Sequence, residues 1–293
     1  MKVGIFGQSN NENTIKYVQE LVELCLEHDI AIVFEENFFK SFPLLSKKKK
    51  FDTFSGYDDL NKNLDYFFSV GGDGTFLRSV TFIRARQIPV IGINTGRLGF
   101  LANIQKESIR SAFEQIMKGQ FTIQKRSLLH VRAEGNKDDF ENVNFALNEI
   151  TITRKNTASM IKVDAILDNE FLTSYWSDGL IISTPTGSTG YSLSCGGPII
   201  SPSSKNIVLT PIAPHSLAIR PLVIPDQTKI ELEIDSRADE VLLTLDSRLH
   251  TLNNKSKVFI EKSSSDMMTL QLNDQTFIKT LRKKLLWGED KRN

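Results

Sequence analysis

The chain opens on alternating textures. Residues 2–6 are a short apolar run, which predicts a strand. Over residues 14–28, Ile15, Val18, Leu21, Val22 and Cys25 recur at helical spacing, the mark of an amphipathic helix. Further strands are predicted at residues 30–34, 66–70 and 89–93, and a helix at 74–87. The run at 66–70 is apolar without alternation, as in a parallel strand covered on both faces. This order predicts an open, mostly parallel α/β sheet, in which ligands gather at the carboxyl ends of the strands.

From about residue 121 the texture changes. Strand-like runs at 128–133, 145–153, 161–167, 180–183, 229–234, 241–245 and 257–261 are joined by short polar turns such as Asp168-Asn169-Glu170 and Asn253-Asn254. A long helical pattern does not return until 277–286. The expected organisation is an α/β domain over 1–122, a β-rich domain over 123–275, and a last helix over 276–293 packing back on the first domain. A linker without a Pro/Gly-rich stretch favours packed domains over independent beads.

Composition narrows the class. The 293 residues carry 36 Lys+Arg against 35 Asp+Glu, so no global basic field points to nucleic acid. Lys47 to Lys50 is the one like-charge run, read as a solvated loop or an anion-attracting lid. Cys25 falls on the first helix as a core residue, and Cys195 is far from it, so neither a disulfide frame nor a zinc site is expected. No stretch reaches the ~18 apolar residues of a membrane span. A reducing, cytoplasmic compartment is the expectation.

Four segments could carry chemistry. Gly71-Gly72-Asp73-Gly74-Thr75 sits between a strand and a helix, where glycines let backbone N–H groups approach an anion and the helix dipole adds to the field. It is neither a Walker A loop nor a G-x-G-x-x-G fingerprint, and a tight turn with a capping Asp would look the same. The segment from Gly92 to Phe100 (GINTGRLGF) ends the next strand, with Phe100 as an aromatic wall or simply part of a turn. In FALNEITITR, Asn148-Glu149 interrupts an apolar strand, at an edge or as a grip for hydroxyls or a base edge. Strand alternation puts Phe145, Leu147 and Glu149 on one face. The last segment is the densest. After Ser177-Asp178-Gly179, the hydroxyls of Thr184, Thr186, Ser188, Thr189, Ser192 and Ser194 crowd around Gly187, Gly190, Gly196 and Gly197, with Tyr191 as a ring that could stack on a base.

Together, GGDGT at Gly71, NTGRLGFL, Asn148-Glu149 and DGLIISTPTGSTGYSLSCGGPI resemble the NAD kinases, in that family's order and spacing and over nearly the whole chain. GGDGT alone is shared with diacylglycerol-type lipid kinases and phosphofructokinases; the TPTGST segment is far more specific. The resemblance implies phosphorylation of the adenosine-ribose 2′-hydroxyl of NAD, with ATP as donor and Mg²⁺ or another divalent cation.

Carried over residue by residue, the resemblance makes Asp73 the general base beside the acceptor hydroxyl. Asp73 and Gly74 would contact the dinucleotide, Asn148 and Glu149 would hold its ribose hydroxyls, and Asp178 would meet the nicotinamide end. Thr189, Gly190, Tyr191, Ser192, Leu193 and Ser194 would line the base pockets, and Phe100 would add an apolar wall. Arg78 on the helix after GGDGT, and Arg248 beside Asp246 in TLDSRL, complete the candidates. An amide at position 73 is expected to keep the geometry while removing the base. Mg²⁺ needs few protein ligands where substrate phosphates hold it. Partners are NAD and ATP, with no nucleic acid or membrane, in a homodimer or homotetramer. Gly190 and Cys195 depart from the family's usual residues, which leaves open NAD against NADH and ATP against polyphosphate. The rivals are a lipid kinase, against which Phe76-Leu77-Arg78 follows GGDGT instead of an immediate Asn-Glu, and a silent dinucleotide-binding regulator, which would not favour carboxylates beside phosphates.

Overall fold

The structure, a computed structural model, describes residues 1–8, 12–43, 50–60, 63–134, 143–155 and 158–288, with Glu12 and Asn13 described by their backbone only. Lys47, Lys48 and Lys49 of the lysine run lie outside the described residues. Two compact units result: residues 1–125 with 267–293, and residues 126–266.

The first unit is built on β1 (Lys2–Gly7), β2 (Ala31–Glu35), β3 (Asp52–Phe54), β4 (Tyr66–Gly71), β5 (Val90–Asn94) and β6 (Ile104–Gln105). The strands run parallel in the order β5-β4-β1-β2-β3, with β6 also parallel to β5. All five residues of β5 are buried, and five of six in β1 and β4, so these strands are covered on both faces. That is why they read as unbroken apolar runs. Helix α1 (Glu12–Glu27) buries Val18, Leu21, Val22 and Cys25 in this core. Burial pushes the Cys25 thiol up to about 12, so it is inert packing.

Helix α2 (Glu36–Lys40) is capped by the Glu35 side chain. Helix α3 (Asp73–Ile83) stops four residues short of the expected end, because Arg84 takes φ 48° and its N–H closes on the Val80 carbonyl. Helix α4 (Ile109–Met117), not predicted, buries Ile109, Ala112, Phe113 and Ile116.

The second unit holds β7 (Phe121–Glu134), β8 (Phe145–Ala146), β9 (Glu149–Arg154), β10 (Ile161–Leu167), β11 (Glu170–Ser177), β12 (Gly179–Ser183), β13 (Asn206–Ile212), β14 (Leu222–Pro225), β15 (Ile230–Asp235), β16 (Glu240–Leu245), β17 (Arg248–Asn253) and β18 (Lys257–Leu272), with the single turn α5 (Tyr191–Ser194). Six antiparallel strands order as β14-β13-β12-β9-β16-β17. Strands β11, β10, β15 and β18 pair antiparallel in a second layer. Val163, Leu232 and Ile260 from this layer share one core with Ile150, Ile182 and Leu243 from the first.

Strands β7 and β18 belong in part to each unit. β18 is one 16-residue strand whose Thr269 pairs with Val90 of the first unit. The division therefore falls at 266 rather than the expected 275, ahead of Met267, Leu270 and Leu272, which are buried. The last helix, α6 (Phe277–Leu285), belongs to the first unit and sets the Phe277 ring 6.4 Å from that of Phe100. No described helix is long and apolar enough to cross a membrane.

Candidate active site

The candidate residues fall into two groups, one in each unit. In the first unit, β4 delivers the chain to Gly72, the N-cap of α3, and Asp73 opens the helix. The Asp73 carboxylate reaches across to the segment after β5. Its Oδ2 accepts the Phe100 N–H at 2.7 Å, and its Oδ1 accepts those of Leu101 at 3.1 Å and Ala102 at 2.9 Å. Asn94 braces the same loop: its amide donates to the Arg97 and Ala102 carbonyls, and its oxygen accepts the Gly96 N–H.

The glycines here have different causes. A Cβ at Gly99 would fall 1.8 Å from Asp73 Oδ1, and one at Gly71 would fall 2.3 Å from Thr75 Oγ1, so packing forbids both. A Cβ at Gly72 or Gly74 would meet nothing within 4 Å. No packing among the described residues explains these two; within those residues they leave the start of α3 bare. Phe100 is half-buried, with Lys284 of α6 lying 5.7 Å over its ring. Arg78 is exposed on α3.

The second group gathers where the expected strand 145–153 breaks. β8 pairs with β7, whereas β9 pairs with β12 and β16, and Leu147 and Asn148 form the bend between them. The bend is held by Asp246, in the turn between β16 and β17. Asp246 accepts the N–H groups of Leu147 at 3.0 Å, Asn148 at 2.7 Å and Glu149 at 3.3 Å, and donates its own N–H to the Glu149 carbonyl. From the other side, Thr184 Oγ1 donates to the Leu147 carbonyl, and the Thr184 N–H to the Asn148 carbonyl. Gly187 lies so close that a Cβ would meet Asn148 O at 2.1 Å.

This cradle holds polar atoms that no group of the described residues satisfies. Asn148 Oδ1, Glu149 Oε2 and Thr186 Oγ1 are buried without a hydrogen bond. Gly190 faces the same place, its Cβ position 3.0 Å from Glu149 Oε2 and 3.3 Å from Asn148 Nδ2. Burial first, then the neighbouring Asp246 charge, pushes Glu149 up to about 8, against the pull of the Tyr191 N–H. Burial also leaves Asp246 raised, against the smaller opposing pull of three backbone N–H groups and Arg248.

Several candidates have internal duties. Ser192 is fully buried and bonds Thr210 Oγ1 at 2.8 Å, so its side chain lines no pocket. Arg248 directs its guanidinium to the carbonyls of Val143, Phe145 and Leu245 rather than outward. Ser188 bonds Pro185 and Ile200 across the loop. Asp178 is paired with Arg154, Oδ1 to Nε at 3.0 Å and Oδ2 to a terminal nitrogen at 3.2 Å. Tyr191 stays 43% exposed, a ring free to stack, with Thr189, Gly190 and Leu193 part-exposed and Ser194 exposed around it. The resemblance marks Asp246 with Arg248 as a polar ligand contact, and the sequence offers Thr186 as one hydroxyl among many; the grip of Asp246 on the 147–149 bend and the unsatisfied state of Thr186 are legible only in the structure.

Comparison with known proteins is decisive at this point. The ATP-NAD kinase N-terminal domain family matches residues 3–121, and the ATP-NAD kinase C-terminal domain family matches residues 147–272. The chain belongs to the NAD kinase family. Curated NAD kinases from Christiangramia forsetii and Flavobacterium psychrophilum are 50% and 46% identical to it, each covering 100% of both chains. The crystal structure of yeast NADH kinase complexed with NADH superposes with a TM-score of 0.87 at 26% identity, covering 100% of this chain and 89% of that one. Membership in the NAD kinase family sets aside the lipid-kinase and silent-regulator readings.

Proposed function

We propose that this NAD kinase transfers the terminal phosphoryl group of ATP to the 2′-hydroxyl of the adenosine ribose of NAD, with Asp73 as the general base. The observation that supports the site is the pair of buried, unpartnered atoms Asn148 Oδ1 and Glu149 Oε2. Orphaned polar atoms are costly unless a ligand or water completes them. An adenosine ribose, with two neighbouring hydroxyls that donate and accept, suits an amide oxygen beside a carboxyl group. Tyr191 offers its exposed ring to a base, and the bare helix start at Gly72 and Gly74 offers N–H groups to phosphate.

Asp73 is oriented by three N–H donors, two on Oδ1 and one on Oδ2, which leaves one lone-pair site on Oδ2 for an acceptor hydroxyl. It would take the hydroxyl proton as the oxygen attacks phosphorus. Among the described residues no group of three or more His, Cys, Asp or Glu could hold a metal ion. A divalent cation carried by substrate phosphates would need few protein ligands. When bound, such a cation neutralises charge on the transferring group. Asp178, tied to Arg154, reaches the dinucleotide with its remaining lone pairs; Arg78 and Phe100 flank the first-unit group. A cytoplasmic homodimer or homotetramer completes the proposal.

The test incubates purified protein with ATP, Mg²⁺ and NAD and reads NADP through an NADP-specific dehydrogenase. NADP formation that chelation of the metal stops is the expected result; no product in any arm would overturn the reading. The yeast structure carrying NADH supports a parallel arm with NADH, and polyphosphate in place of ATP tests the donor.

A further inference from the structure

We infer that Asp246 is a positioning residue that keeps Glu149 in its neutral form, so that Glu149 meets the dinucleotide as a hydrogen-bond donor rather than as a carboxylate. The inference rests on the assignment of Asn148 and Glu149 to the acceptor site.

The geometry has two parts. Asp246 collects three successive N–H groups, those of Leu147, Asn148 and Glu149, on its two oxygens. Only an ionised carboxylate accepts at both oxygens without presenting a hydroxyl to a donor. Its charge is held in place by Arg248, whose terminal nitrogen lies 3.6 Å from Oδ2. The Asp246 side chain is 2% exposed, so solvent screens this charge little. Glu149 has only 9% of its surface exposed and donates its own N–H to Asp246, while its carboxyl has one N–H donor, from Tyr191, and no cation partner among the described residues. Two buried carboxyl groups this close do not both ionise, and the group with more donors keeps the charge.

The other groups around Glu149 do not reverse this. Tyr191 of α5 and Cys195, which caps its end, are themselves shifted up by burial and stay protonated through neutral pH. Asp178 is neutralised by Arg154. The unsatisfied Oε2 is therefore placed to carry the proton and to donate it to an oxygen or nitrogen of the ligand. Asp246 itself needs no ligand contact.

The test is calorimetric titration of the full-length protein with NAD, without donor, between about pH 7 and about pH 9 in buffers of differing ionisation enthalpy. NAD has no group that titrates in that range. With Glu149 poised near 8, affinity should weaken about tenfold across the interval, with uptake of about one proton per NAD at the alkaline end. Glu149→Gln, a permanent donor, should lose both the pH dependence and the proton uptake. Asp246→Asn should move the decline to lower pH, since the charge that opposes Glu149 ionisation is gone. A wild-type affinity that is flat over this range, or a decline that persists unchanged in Glu149→Gln, would overturn the inference even if Asp246→Asn does not fold. A protein that neither binds nor phosphorylates NAD at any pH would instead sink the functional assignment.

Discussion

Asp73→Asn is the substitution of choice for removing a general base while keeping shape, but here it changes more. The amide has one acceptor oxygen where the carboxylate has two. If that oxygen keeps the Leu101 and Ala102 N–H groups, the amide nitrogen faces the Phe100 N–H, which now ends 2.7 Å from Asp73 Oδ2. A donor would meet a donor. Loss of this charge-assisted bond costs about 1.5–3 kcal/mol, borne by the loop. Loss of the base costs a further factor of about 10²–10⁴ in turnover, or about 3–5 kcal/mol. Steady-state kinetics with ATP and NAD reads the second effect, and amide hydrogen exchange at Phe100, Leu101 and Ala102 reads the first. The expected result is a kcat at least about 100-fold lower, together with Phe100 exchange faster by about tenfold or more. Turnover within about tenfold of wild type removes the general-base role. Unchanged exchange removes the anchoring role, whatever the kinetics.

Three further predictions test the glycines and the buried acid. Gly99→Ala, whose Cβ would fall 1.8 Å from Asp73 Oδ1, should displace the carboxylate or lift the loop; a kcat within about threefold of wild type would contradict this. Gly74→Ala meets no neighbour and lies in the first turn of α3, so unfolding by urea should show a gain of about 0.5–1 kcal/mol while kcat/KM falls; a gain in both would mean Gly74 does not face a ligand. Glu149, raised from 4.5 to about 8, binds a proton in the native state that the unfolded chain has released, so the unliganded protein should lose stability as pH rises through that window. The ceiling is about 4–5 kcal/mol, and Glu149→Gln should abolish the slope; parallel urea-unfolding profiles for the two proteins from about pH 5 to about pH 8.5 would refute it.

The parts of the fold that depend on local pattern were legible. The strands β1, β4 and β5 are apolar because they are buried on both faces, and α1 shows its stripe because one face meets the sheet. Helix α4 escaped notice although Ile109, Ala112, Phe113 and Ile116 carry the same spacing, because its nine residues make the stripe short. β18 was cut at 261 because Ser263, Ser264, Ser265 and Asp266 interrupt its apolar alternation before Met267. The break between β8 and β9 was not legible at all. Its cause, Asp246, lies 97 to 99 residues further on, and nothing local in FALNEI marks a bend. Likewise the hydroxyls of the Thr184–Ser194 segment read alike in sequence, yet Thr184, Ser188 and Ser192 hold the loop together while Thr186 is left unsatisfied. Chemistry at a distance, not composition, separates them.

The carboxylate in GGDGT makes sense against this background. Three successive backbone N–H groups form a nest that would ordinarily receive a phosphate. The chain makes two such nests, at Phe100–Ala102 and at Leu147–Glu149, and fills both with its own aspartates, Asp73 and Asp246. Neither nest is then available to a substrate anion. The proposed phosphate site in the first unit falls instead at the start of α3, where the first N–H groups lack intrahelical partners and Gly72 and Gly74 leave them uncovered. In the second unit the filled nest has a different consequence. On the inference above, a negative charge on Asp246 would make a second one at Glu149 expensive, and the acid proposed to face the ligand would keep a proton to give. On the proposed assignments, one aspartate would accept a proton, and the other would make its neighbour a donor.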